Sequence, residues 1–120
     1  MVKAEFTALP KEGLIAMKVT GHAQTAAKGQ DLVCASASIL ALTLAQAVGF
    51  ANQEGKLQRE PRMKIAEGKT IVIAKPTPEA MGEIIHAFYM AQVGFSILAT
   101  VYKDNVQLTS FDESIKGFNQ

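Results

Sequence analysis

The sequence predicts a two-layer α+β domain: a mainly antiparallel sheet of four to five strands with two helices on one face, in the order ββαββα(β). Three observations predict it. Apolar and polar residues alternate with a period of two in the first twenty residues, and Met63, Ile65 and Thr70 to Ala74 read as two further strands around a turn. Two long stretches without formal charge, Leu32 to Ala51 and Ile84 to Tyr102, have helical length and composition when His86 is neutral. Turn-forming clusters separate these segments at short intervals.

Val2, Ala4, Phe6 and Ala8 alternate with Lys3, Glu5 and Thr7, which is a strand with one buried face. Pro10-Lys11-Glu12-Gly13 is turn chemistry, and Ile15, Met17 and Val19 resume the alternation, so the two segments pair as a hairpin. Asp31 is a good N-cap for a first helix that runs to about Ala51. Asn52 to Pro61 is polar and charged, hence a surface loop. A third strand begins at Met63, Glu67-Gly68 is a tight turn, and Thr70 to Ala74 is a fourth strand. Thr77 caps a second helix with Pro78 at its first position; it runs to about Tyr102 and loosens at Gly94. Asp104-Asn105 ends it, Val106 to Thr109 adds a short last strand, and residues from Ser110 onward are polar and loose. One domain over 1–110 with a polar tail over 111–120 follows.

Composition narrows the function. Hydrophobic residues are 48% and charged residues 19%, a globular balance. The net charge of +1 carries no footprint for nucleic acid, so no direct nucleic-acid binding is expected. The opening residues MVKAEFTALP lack a signal-peptide apolar run, and the single cysteine forms no internal disulfide, which points to a reducing cytoplasm. The two apolar stretches are about as long as a bilayer span, but polar residues interrupt both and neither has a clear basic flank. They read as helices buried on more than one side, with a partner subunit as the second cover and no membrane partner. A zinc site needs about four ligands. Cys34, His22 and His86 offer three at most, so neither metal nor cofactor is expected. His86, inside an apolar helix, reads as a core or interface residue.

The chemistry concentrates in GHAQTAAKGQDLVCA, residues 21–35, which holds the only cysteine and one of two histidines. With Asp31 as cap, Cys34 falls at the third helical position, among backbone N–H groups without intrahelical partners. A thiol of ordinary pKa ~8.5 is only about 3% ionised at pH 7, and lowering it to ~6.5 takes roughly 2.7 kcal/mol. A helix terminus supplies about 0.3–1 kcal/mol and at best ~2, which falls short. A protonated imidazole beside the sulfur supplies the rest, and His22 is the candidate. The eight residues between it and Asp31 span up to roughly 25 Å, and Gly21 and Gly29 bracket the segment as hinges. Ser38, one turn after Cys34, leans back toward the sulfur. Backbone N–H groups near Cys34 are candidates for an oxyanion hole. Asp31 has two readings, helix cap or orienter of His22. Spacing alone also leaves Cys34 open as a small packing hydrophobe.

Gly21-His22-Ala23, Gly29, Asp31-Leu32-Val33-Cys34-Ala35 and Ser38 together resemble the bacterial ribosomal-processing cysteine protease family, over nearly the whole chain. Those enzymes remove a short N-terminal extension from large-subunit ribosomal protein number twenty-seven, cutting after an aromatic residue in an extended segment. The resemblance implies Cys34 as nucleophile and His22 as general base and acid, a Cys-His dyad without an obvious third member. Gly21, Gly29, Asp31 and Ser38 stand at supporting positions. Ser36 and Ala37 depart from the pattern, where an alanine and a larger aliphatic residue are expected. The family also implies a homodimer and an apolar substrate pocket near the sulfur. Against this stand a non-catalytic ribosome-associated dimer whose cysteine merely packs, and a redox-sensing thiol protein.

Overall fold

The alternating segments pair as the sequence predicts, and their register fixes which face is buried. A computed structural model of the chain describes residues 1–21, 28–111 and 114–119. Its elements are β1 (Val2–Leu9), β2 (Leu14–Thr20), α1 (Lys28–Gln53), β3 (Arg62–Ala66), β4 (Lys69–Ala74), α2 (Met81–Val101), β5 (Val106–Thr109) and a terminal 3-10 helix, Ser114–Asn119. The five strands form one sheet in the order β3-β4-β2-β1-β5. Three pairings are antiparallel; β5 joins the edge parallel to β1, with Val2 opposite Val106. The last strand is therefore real, and it makes the sheet mixed.

One sheet face is apolar because the register aligns the inward residues of neighbouring strands: Ala4 with Val19, Phe6 with Met17, Ala8 with Ile15, then Met17 with Val72 and Ile15 with Ala74. The helices cover this face. On α1 the buried residues Val33, Ala37, Ala41, Leu44, Ala45 and Val48 recur every three or four positions. On α2, Ile84, Phe88, Ala91, Phe95 and Leu98 do the same. Phe6, Phe88 and Phe95 are fully buried, and each contributes roughly 1.5–3 kcal/mol by area removed from water.

Four local expectations are corrected. First, α1 begins at Lys28, so Asp31 is its fourth residue and does not cap it. No proline blocks the upstream Lys28-Gly29-Gln30, and an acidic residue suits a first helical turn as well as a cap position. Second, α2 begins at Met81 rather than Pro78. Thr77 instead closes a turn, where its Oγ1 accepts a hydrogen bond from the Ala80 N–H at 3.2 Å. Third, Gly94 does not loosen α2. A Cβ there would lie 2.5 Å from Leu40 Cδ2, so the missing side chain is what lets Leu40 of α1 pack close. Fourth, the described C-terminal residues are not loose. Phe111 is buried against Phe6 with ring centroids 5.5 Å apart, its N–H donates to Gln92 Oε1, and Phe118 packs against the core. Two phenylalanines anchor a segment whose average is polar.

His86 is exposed on α2, not in the core. The polar loop after α1 is pinned at both ends of its turn. Leu57 is buried and bridges to Pro76, while Lys56 pairs with Glu54 at 3.0 Å and with Glu83 of α2 at 2.7 Å. The Glu83 and Glu54 carboxylates raise the Lys56 pKa above its ordinary value.

Candidate active site

Cys34 is the seventh residue of α1 and half-buried. It lines a hollow of about 270 Å³ between α1, the edge of the sheet and the β3–β4 turn. From α1 come Cys34, Ala37, Ser38 and Ala41, all at helical spacings of three or four, so one stripe of small side chains forms a wall. Val2 and Val19 form the apolar floor, and Ala66 to Thr70 close the opposite side. Ala37, smaller than the aliphatic residue the family pattern suggests, leaves space beside the sulfur.

Ser38 lines the same hollow one turn from Cys34, as helical spacing requires, and is exposed. Ser36 points its hydroxyl elsewhere, donating to Leu32 O at 2.8 Å along α1. Gly29 is the second residue of α1. Asp31 lies within the first turn, its side chain outside those described. His22 lies outside the described residues.

The earlier helix start changes the electrostatics. Counted from Lys28, Cys34 lies past the first turn of the helix, the turn in which N–H groups without intrahelical partners are found. The helix-terminal charge falls off within that turn, and the N–H of Cys34 itself is at a helix-interior position. The expectation that the amides around Cys34 form an oxyanion hole is therefore not met by α1.

Gly21 is the described residue next in sequence to His22. It follows β2 directly, lines the hollow, and donates its N–H to Gly68 O at 2.9 Å. Its φ of +88° is a left-handed conformation that suits glycine. A methyl here would also overlap the Met1 carbonyl oxygen. Glycine at position 21 is thus demanded twice, by backbone angle and by close approach. Gly21→Ala is expected to cost about 2–4 kcal/mol through left-handed strain, the Met1 overlap and a weakened bond to Gly68. Thermal unfolding and cleavage measured on one sample check this; an unchanged melting temperature contradicts it.

The β3–β4 turn was legible as a turn, but nothing in its residues links it to Cys34. The sheet order does. Thr20 pairs with Lys69, so the end of β2, which leads to Gly21, lies beside the start of β4.

Comparison with known proteins agrees with this fold. The family model for cysteine protease Prp matches residues 1–107. No curated protein matches the sequence at a significant level. Among solved structures, SMU.848 from Streptococcus mutans superposes with a TM-score of 0.65 at 23% identity, covering 92% of this chain and 94% of that one. The essential ribosomal processing protease Prp from S. aureus, in complex with a substrate peptide, gives a TM-score of 0.64 at 20% identity, covering 91% of this chain and 98% of that one. The same S. aureus protein with a covalently linked product peptide gives 0.63 at 19%, with coverage of 91% and 98%.

Proposed function

The chain belongs to the Prp family of cysteine proteases, and from that membership we propose that it trims a short N-terminal extension from a large-subunit ribosomal protein, in the cytoplasm. The observation that carries this reading is the placement of the only cysteine on the wall of an open hollow rather than inside the core. A thiol kept for packing alone needs no such opening.

The chemistry divides between two residues. Cys34 attacks the scissile carbonyl as thiolate, forming a tetrahedral intermediate. His22 then protonates the departing amine, leaving the N-terminal part of the substrate as a thioester on Sγ. Water, deprotonated by His22, hydrolyses the thioester and releases the thiol. Gly21, fixed to Gly68, anchors the start of the segment that carries His22. Ser38 and Asp31 are assigned supporting roles, Ser38 toward the bound substrate and Asp31 toward His22. The apolar part of the hollow, Val2, Val19 and Ala41, suits the aromatic residue that precedes the cut.

The test is incubation with a ribosomal protein carrying its N-terminal extension, followed by mass measurement. One cut after an aromatic residue supports the reading, and an intact substrate overturns it.

The working form is proposed to be a homodimer. Ile39, Leu42 and Phe50 on α1 and Met90, Ile97 and Val101 on α2 are large, apolar and exposed on the side of the helices away from the sheet. By length and composition both helices could cross a bilayer, yet each packs a buried stripe on the sheet and leaves this second stripe uncovered. Ile39 and Ile97 line one shallow apolar hollow together with Gly94. The double variant Ile39→Glu/Ile97→Glu is expected to sediment as a monomer at micromolar concentration where the parent is a dimer. A parent that is monomeric contradicts the proposal.

A further inference from the structure

The sheet has a second face, and its charge is not that of the whole molecule. The helices cover only one side, so residues alternating outward from β1, β2, β3 and β4 meet solvent on the other. Those residues include Lys3, Lys18, Arg62, Lys64 and Lys69, all exposed, against a single acid, Glu5. Among the described residues, the outward positions of these strands thus carry five of the chain's twelve lysines and arginines and a single acid. Those strand positions are together positive by four charges, which the chain's net +1 conceals. The absence of a nucleic-acid footprint in the overall composition is an average over the whole chain.

Register sets the spacing. Lys18 lies at the centre of one cross-strand row, opposite Glu5 of β1 on one side and separated from Lys64 by Ile71 on the other. Lys3 and Lys69 sit on the flanking strands, each opposite Thr20. Strand separation and diagonal geometry put these side chains at roots about 8–10 Å apart. Among the described residues, no ion pair engages any of the five.

We infer that this open face is a docking surface for the phosphate backbone of double-stranded RNA. Three features select that occupant. The charge is complementary to a polyanion and is spread over a sheet rather than focused in a pocket. No aromatic residue stands on the outward positions of the five strands, so there is no platform on which single-stranded bases stack. The large exposed apolar residues of the helices, which a lipid surface would engage, lie on the opposite side of the molecule. The choice of RNA among polyanions rests on the proposed ribosomal substrate. Lys69 and Thr70 belong both to β4 and to the wall of the Cys34 hollow, so a duplex on this face lies beside the mouth of the active site.

Binding of a fluorescent RNA duplex of about 20 base pairs, titrated between about 50 and 200 mM salt, tests this. The parent protein is expected to bind, with affinity falling steeply as salt rises. Lys18→Glu/Lys64→Glu is expected to weaken binding on the order of tenfold or more and to flatten the slope of log K against log salt by about 2. Arg62→Glu/Lys64→Glu, confined to the edge strand, is expected to do the same if the first variant folds poorly. Both variants should cleave a short peptide substrate as the parent does, since none of these residues lines the hollow. RNA binding is read without reference to cleavage, so failure of the peptidase reading and failure of this one are separately visible. Parent binding that is absent, unchanged in both variants, restricted to single strands, or replaced by binding to anionic phospholipid vesicles overturns the inference.

Discussion

Cys34→Ala is expected to abolish cleavage, lowering kcat/KM on the order of 10⁴-fold or more, while leaving the fold unchanged. The size follows from chemistry: removing the attacking atom leaves no residual covalent route, and what survives is substrate binding alone. The silence of the fold follows from position. Cys34 is half-buried on the wall of an existing hollow, so deleting Sγ enlarges an open space instead of creating a closed cavity. The stability cost should stay under about 1 kcal/mol. Cleavage assays and thermal unfolding on the same preparation check both halves. A redox sensor would show the same intact fold but no cleavage in the parent, which separates it from the protease.

The second large effect is expected at His22. His22→Ala should lower kcat on the order of 10²–10⁴-fold, the range for a positioned general acid and base, with a smaller change in KM. Added imidazole should restore part of the activity of His22→Ala and none of that of Cys34→Ala. That rescue distinguishes a proton-transfer role from a merely structural one. A His22→Ala protein that cleaves at the parental rate contradicts the dyad.

What the sequence reveals and what it hides divide along physical lines. Period-two alternation in Val2 to Ala8 and Ile15 to Val19 reads out directly, because burying one sheet face requires it. Stripes at helical spacing on α1 and α2 read out for the same reason. Helix starts read less well. Asp31 and Thr77 are both good caps, yet a helix begins upstream of one and downstream of the other, since capping competes with what neighbouring turns offer. Gly94 looked like a weak point and is a contact, because the approach of Leu40 is set by another helix. Phe111 was hidden by the polar residues around it. The candidate site shows the same split. Cys34 and Ser38 share a face by local spacing, whereas the opposite wall at Ala66 to Thr70 depends on strand order. The basic sheet face is likewise invisible in a net charge and emerges only from register.

The central claim is that the lone thiol is an activated nucleophile opening onto a peptide-binding hollow. A short extended peptide ending in an aromatic residue and carrying a chloromethyl ketone tests it most directly, by intact mass against time at neutral pH. A single adduct on Cys34, formed far faster than on free cysteine and slowed in His22→Ala, is the predicted result. An adduct that forms no faster than on free cysteine, or equally fast without His22, would contradict it.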